Sequence, residues 1–127
     1  MQQRDKLDEM FSQQESFMRL LQKRRNFPQF PVDLETKEGQ KFCKSIVYEI
    51  MGELFESVQH LKNSKDHRIT NVSGLNREEF VEELSDALHY FFELAILCNV
   101  TPNELYNSYM KKGVINQNRI ENNYWKK

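Results

Sequence analysis

Two groups of acidic residues have a spacing that places their carboxylates on one face of a helix. Glu83 and Asp86 are three positions apart, and Glu49, Glu53 and Glu56 follow one another at intervals of four and three. Residues at these intervals are neighbours on a helix surface. Carboxylates from two facing helices can converge on a hard cation such as Mg²⁺, which prefers oxygen ligands and often bridges to substrate phosphates. The spacing therefore predicts metal-dependent chemistry on a phosphoanhydride.

A solvated helix surface is the alternative explanation, because exposed helices often carry acidic residues at the same intervals. Glu83 and Asp86 argue against it, since they flank Leu84 and Leu88, which we expect to be buried. Like charges beside a core are costly unless a cation neutralises them. Together the two acidic groups favour a metal site.

The composition limits the class of protein. A chain of 127 residues fits one domain over 1–127. A net charge of −1 provides no general electrostatic attraction to nucleic acid or to a membrane. Charged residues make up 29% of the chain and hydrophobic residues 39%, which suits a small helical bundle that needs a partner subunit to bury enough apolar area. We expect a homodimer or a higher homo-oligomer, with no nucleic-acid and no membrane partner.

Cysteine usage and the absence of long apolar runs indicate a cytoplasmic protein. Cys43 and Cys98 have neither zinc-site nor redox-motif spacing, so we expect buried free thiols in a reducing compartment. The chain opens on no apolar segment of the signal-peptide type, and no apolar run is long enough to span a bilayer.

Sparse glycine and proline predict an all-α bundle of four main helices. We expect the helices over about 4–25, from after 33–36 to about 62, over about 77–99, and from about 102 to about 112, where Gly113 breaks or bends the last helix. Apolar residues at helical spacing predict the buried face of the second helix: Val47, Ile50, Met51, Leu54, Val58 and Leu61. The same reasoning on the third helix gives Phe80, Leu84, Ala87, Leu88, Phe91, Leu94 and Ala95.

Three motifs carry a resemblance to a known family. Glu53 and Glu56 form a Glu-x-x-Glu pair, and residues 83–86 read Glu-Leu-Ser-Asp, a Glu-x-x-Asp pair. A leucine, a histidine and an aromatic residue follow the second pair at 88–90. The third motif lies further along the chain and consists of Lys112, Asn116 and Arg119. In this order the motifs resemble the signature of the all-α nucleoside triphosphate pyrophosphohydrolases, the superfamily of MazG and the dimeric dUTPases. The resemblance covers residues 49–119.

The resemblance implies hydrolysis of a nucleoside triphosphate to the monophosphate and pyrophosphate, with Mg²⁺ as cofactor and Mn²⁺ as a substitute. It implies that Glu53, Glu83 and Asp86 bind the metal, with Glu49 or Glu56 completing the site. Both completions stay open: Glu56 fits the literal spacing, whereas Glu49 lies one residue from the position where the family's Gly-Glu-Leu places its first glutamate. Glu53 is the candidate base that orients the attacking water.

The resemblance also implies substrate contacts. Gln14 matches the glutamine of a Phe-x-x-Gln motif that reads a pyrimidine edge, because an amide both donates and accepts hydrogen bonds. Lys112, Asn116 and Arg119 match a motif that contacts the triphosphate. Gly113 stands where that motif has an asparagine.

The expected substrate is dUTP, with dCTP next. This chain lacks the tryptophan that the dUTPase branch carries after its first acidic helix, so a MazG-like activity on purine or modified deoxynucleoside triphosphates is one alternative. A non-catalytic helical interaction module with solvated acidic faces is another. A di-iron bundle fits less well, because it needs Glu-x-x-His pairs and residues 86–89 offer only Asp-x-x-His.

Overall fold

The computed structural model describes residues 5–62, 64–69 and 74–122. Within these ranges it contains four α-helices and no strand, which confirms the all-α class. The helices are α1 (Lys6–Arg24), α2 (Lys37–Val58), α3 (Arg77–Leu97) and α4 (Pro102–Glu121). None of them is both long and apolar enough to cross a bilayer.

Each helix begins at a residue whose side chain accepts a hydrogen bond from a backbone N–H in the first turn. These N-caps are Asp5, Thr36, Asn76 and Thr101. Such caps satisfy N–H groups that have no partner inside the helix. Proline at the first position of α4 adds a preset φ angle. The starts of α3 and α4 therefore lie where the sequence predicted them.

The end of α3 is a Schellman turn. The Val100 N–H donates to the Ala95 carbonyl oxygen at 2.8 Å, and the Asn99 N–H donates to that of Ile96 at 3.0 Å. Asn99 has a φ of 62°, a left-handed conformation that asparagine tolerates better than most residues. The turn ends α3 before residue 99 and lets α4 begin shortly afterwards.

Apolar side chains from α1, α2 and α3 form the core. One cluster consists of Met18, Phe30, Cys43, Ile46 and Leu97. A second consists of Phe11, Phe92 and Ala95, with Leu105 from α4 packed against it. The α2 and α3 helices pack along each other and α1 packs on α3, whereas the backbone of α4 comes close only to that of α1 among the described helices. The paired helices α2 and α3 are the ones that carry both acidic groups.

The two cysteines are free thiols, as expected. Cys43 is buried and Cys98 is half-buried, and their sulfur atoms lie 3.7 Å apart. Burial, followed by the neighbouring Cys98 thiol, raises the pKa of Cys43 to about 11. Cys43 therefore packs as a protonated, apolar side chain.

The predicted end of the fourth helix is wrong. The α4 helix continues through Gly113 to Glu121, because one glycine in a helix costs roughly 1 kcal/mol and does not by itself end it. The second helix was also extended too far, since α2 ends at Val58.

The prediction of which face of the second helix is buried is also wrong for the single chain. Val47, Met51, Leu54, Val58 and Leu61 are exposed, and the buried residues of α2 are Gly39, Cys43, Ile46 and Ser57. Apolar residues occur on more of α2 than α3 can cover. On α3, likewise, Leu84, Leu88 and Phe91 are exposed although Ala87 and Ala95 are buried. The paired helices therefore present an apolar surface away from their own core.

Candidate metal and nucleotide site

Packing of α2 against α3 brings three of the predicted ligands together. Each of Glu53, Glu56 and Glu83 offers a carboxylate oxygen, and these oxygens lie within 4.8 Å of one another. Glu53 and Glu83 are half-buried, whereas Glu56 is exposed. We call these three residues the acidic cluster. Oxygen donors at this separation suit a hard divalent cation.

Burial and like-charge neighbours disfavour ionisation of the acidic cluster. Burial raises the pKa of Glu53, and the charges of Glu56, Asp86 and Glu83 raise it further. Burial also raises the pKa of Glu83, followed by Glu56 and Asp86, whereas His60 acts in the opposite direction. Like charges held close together disfavour ionisation of each carboxyl. Binding of a divalent cation would remove this repulsion.

Asp86 and Glu49 take different positions relative to the cluster. Asp86 lies one turn after Glu83 on α3, and it lines a cleft together with Glu53. Glu49 lies one turn before Glu53, and its charge raises the pKa of Glu93 and Tyr90. The carboxylate grouped with Glu53 and Glu83 is that of Glu56, while Glu49 is exposed and lines the cleft outside this group.

His60 is a neighbour of the cluster that sequence reasoning passed over. Its Nε2 atom lies 4.0 Å from Oε1 of Glu83, and its ring stands edge-on to Phe80. His60 lies just after the end of α2 at Val58. Helical spacing therefore did not indicate that its side chain points toward Glu83.

A cleft of about 1010 Å³ opens between α1, α2 and α3 beside the acidic cluster. Its polar lining includes Gln13, Gln14, Asn26, Glu49, Glu53, Asp86, His89 and Glu93. Its aromatic lining is Phe17, Phe27, Phe42 and Tyr90. Phe17 is 51% exposed and lies one turn after Gln14 on α1, so its ring is accessible from the cleft that it lines.

Gln14 lines the cleft, and its hydrogen-bond partner is His89. Gln14 is 4% exposed, and its Oε1 accepts a hydrogen bond from Nδ1 of His89 at 3.0 Å. The two residues are 75 positions apart and belong to α1 and α3. The sequence indicated only that His89 packs or forms hydrogen bonds, because helical spacing does not show which residues meet across helices.

Glu93 is a cleft residue that the sequence prediction missed. It is 4% exposed, and burial, followed by the charge of Glu49, raises its pKa to about 7. Burial is also the largest of the causes that raise the pKa of Tyr90, followed by Glu49 and Glu93. The signal was present, since Glu93 lies seven positions after Asp86 and so on the same face of α3.

The predicted phosphate ligands are not brought into the cleft of their own chain. Lys112, Asn116 and Arg119 lie on α4, and none of them is among the residues that line it. Lys112 and Asn116 are exposed and Arg119 is half-buried. Among the described helices, α4 approaches only α1 closely.

Comparison with protein-family models, with curated proteins and with solved structures finds no match to this chain.

Proposed function

We propose that this protein hydrolyses a nucleoside triphosphate to the monophosphate and pyrophosphate with Mg²⁺ as cofactor, and that dUTP, followed by dCTP, is the preferred substrate. The observation that carries the proposal is the acidic cluster on two facing helices at the edge of a cleft of about 1010 Å³. Clefts of this size accommodate a small organic ligand. The motifs at Glu53, Glu56, Glu83 and Asp86 resemble in sequence those of the all-α pyrophosphohydrolases.

The residues present fit a divalent cation. All donors are carboxylates, and burial together with the neighbouring negative charges raises the pKa values of Glu53 and Glu83. Glu53, Glu56 and Glu83 would hold Mg²⁺ or Mn²⁺, with Asp86 as the fourth carboxylate. Glu49 is the weaker candidate because it lies outside the group of three carboxylates, and its charge acts on Glu93.

The reaction breaks one phosphoanhydride bond. When bound, Mg²⁺ would supply Lewis-acid activation of a water molecule and would neutralise negative charge on the leaving pyrophosphate. Glu53 orients the water and accepts its proton as the general base. The water oxygen bonds to the α-phosphorus while the bond from that phosphorus to the bridging oxygen breaks, and pyrophosphate leaves.

The base and sugar occupy the cleft between α1 and α3. Gln14 hydrogen-bonds the edge of the base, and Phe17 provides a ring on which the base stacks. The hydrogen-bonded pair of Gln14 and His89, together with the exposed ring of Phe17, suits a pyrimidine. Purine and modified deoxynucleoside triphosphates remain the alternative substrates.

The active form is a homodimer or a higher homo-oligomer. Exposed apolar side chains cover the outer faces of α2 and α3: Tyr48, Met51, Leu54, Phe55, Val58, Val81, Leu84, Leu88 and Phe91. Monomeric proteins seldom leave a large apolar patch in water. A second copy that packs on this surface provides a route for Lys112, Asn116 and Arg119 to reach a triphosphate, since α4 does not reach the cleft of its own chain.

Pyrophosphate release from a full panel of ribo- and deoxynucleoside triphosphates tests the proposal. With Mg²⁺ we expect stoichiometric pyrophosphate and monophosphate from dUTP, a lower rate with dCTP, and no product after chelation of the metal. No pyrophosphate from any member of the panel, with either Mg²⁺ or Mn²⁺, would refute the proposal.

The exposed apolar surface also favours a second candidate, a helical interaction module without catalytic activity. Isothermal titration separates the two functions. An enzyme of the proposed type takes up Mg²⁺ or Mn²⁺ more tightly when a nonhydrolysable nucleotide is present, whereas a module shows no such coupling. A di-iron site is not favoured, because residues 86–89 offer only Asp-x-x-His and α2 carries no Glu-x-x-His pair.

A further inference from the structure

We infer that His89 positions the Gln14 amide so that its NH₂ group faces the cleft and selects a base with a carbonyl oxygen at position 4, uracil rather than cytosine. This inference rests on the proposed function and assigns the choice of base within it. It concerns a hydrogen bond between two helices that local sequence patterns do not reveal.

The hydrogen bond fixes which atoms of the two side chains meet. The Gln14 Oε1 atom is an acceptor only, so His89 Nδ1, 3.0 Å away, must carry the proton and donate. The two side chains project from α1 and α3, which pack against each other. Because both helices are fixed by the core, the amide plane of Gln14 is fixed as well.

The other half of the Gln14 amide is available to a ligand. Across residues 5–62, 64–69 and 74–122, the hydrogen bond with His89 is the only one that the Gln14 side chain makes. Over the same residues, every fully buried polar side-chain atom has a hydrogen-bond partner. Nε2 of Gln14 therefore remains accessible, and the accessible space beside it is the cleft that Gln14 lines. A side chain that is 4% exposed and presents an unused donor to a cavity is suited to ligand recognition.

The direction of the amide determines which base fits. An NH₂ group complements the O4 carbonyl of uracil, whereas the N4 amino group of cytosine would place two donors against each other. A buried donor without an acceptor loses its hydration with no compensation, so the mismatch is penalised strongly. A freely rotating amide could instead present Oε1 and accept from cytosine. His89 prevents this rotation because Oε1 is already engaged.

The ratio of kcat/KM for dUTP to that for dCTP measures this selection. We expect wild-type protein to prefer dUTP, and His89→Ala to lower the ratio about tenfold or more, the effect of one lost hydrogen bond. The change should lie mainly in KM, because His89 acts on binding of the base. His89→Asn should restore most of the ratio, since its amide N–H can occupy the position of Nδ1. His67→Ala is the matched control, because His67 is exposed on the segment 64–69.

Two results would overturn the inference while leaving the proposed function intact: equal losses of kcat/KM for both substrates in His89→Ala, or wild-type protein that prefers dCTP. Activity toward neither nucleotide would overturn both. A measurement that does not depend on turnover is the ¹⁵N NMR spectrum of wild-type protein, which reports which ring nitrogen of His89 carries the proton. The inference requires a neutral His89 protonated on Nδ1, and a ring protonated on Nε2 alone would overturn it even if His89→Ala failed to fold.

Discussion

Glu83 is the residue at which a catalytic role and a purely structural role predict opposite effects on stability. Its pKa is raised by burial and by its acidic neighbours, so it is ionised at a cost to the folded state. We expect Glu83→Gln to lower kcat/KM at least about a hundredfold because a metal ligand is lost. The free energy of unfolding without metal should stay the same or rise, because one repulsive charge is removed.

Glu82→Gln is the matched control, since Glu82 is exposed, adjacent in sequence and outside the acidic cluster. Activity should be unchanged in this variant. Comparable losses in the two variants, or a large loss of stability in Glu83→Gln, would mean that the charge serves the fold rather than a metal.

Glu93 should make the stability of the protein depend on pH. Its pKa is about 7 in the folded protein against 4.5 as the ordinary value, so the folded state binds this proton more tightly than the unfolded state does. The carboxyl therefore has no destabilising effect below pH 4.5, and its cost grows as the pH rises from 4.5 to 7. We expect Glu93→Gln to raise the free energy of unfolding at pH 8 by about 1–2 kcal/mol after allowance for solvent screening, with little effect at pH 4.5.

Urea denaturation of wild-type protein and Glu93→Gln across this pH range measures the effect. Glu15→Gln, at an exposed position on α1, is the control and should give a curve parallel to that of the wild type. If Glu93→Gln also runs parallel to the wild type, the carboxyl titrates normally and is not held in an apolar site.

Single residues show where sequence reasoning succeeds and where it stops. Glu53, Glu56 and Glu83 could be selected from three-residue spacing, because spacing along one helix fixes which side chains share a face. The contact between Gln14 and His89 could not, since it joins two helices through packing that no local pattern records.

Gly39 in α2 and Gly113 in α4 differ in how much space a side chain would have, which only the structure reveals. A Cβ atom at Gly113 would meet nothing within 4 Å, whereas one at Gly39 would lie 2.1 Å from the carbonyl oxygen of Asp33. We expect Gly113→Ala to raise the free energy of unfolding by about 0.5–1 kcal/mol, because alanine is the better helix former. Gly39→Ala should lower it by about 2 kcal/mol or more, since backbone must move.

Chemical denaturation of both variants tests this pair. A destabilised Gly113→Ala would indicate that α4 needs a bend at this position, as the sequence had predicted. An unaffected Gly39→Ala would mean that the segment before α2 is less tightly packed than the distances indicate.

The capping residues Asn76 and Thr101 made the starts of α3 and α4 predictable, because a cap is a local interaction between neighbouring residues. The end of α4 was not predictable from Gly113, since a glycine weakens a helix without ending it. The buried face of α2 was mispredicted for a different reason. Periodicity identifies apolar residues, but it does not show whether the same chain or a second copy covers them.

The whole molecule is expected to exist as an oligomer in solution. Phe55, on α2, is 67% exposed amid the apolar surface of α2 and α3. In sedimentation equilibrium we expect wild-type protein to have at least twice the mass of one chain, and Phe55→Glu to sediment as a monomer because burial of the new charge is costly. Pyrophosphate release should fall together with the loss of association.

Ile69→Glu is the control for this experiment, since Ile69 is 99% exposed and its replacement should leave association intact. Wild-type protein that remains monomeric at the highest soluble concentration would contradict the proposed assembly. It would also leave Lys112, Asn116 and Arg119 without a described route to the cleft.

Binding of a divalent cation between α2 and α3 is the central claim, and anomalous scattering tests it most directly. A crystal grown with Mn²⁺ and a nonhydrolysable dUTP analogue should show an anomalous peak within bonding distance of the carboxylates of Glu53, Glu56 and Glu83, with the triphosphate against the ion. A nucleotide-containing crystal without a manganese peak between these helices would contradict the claim.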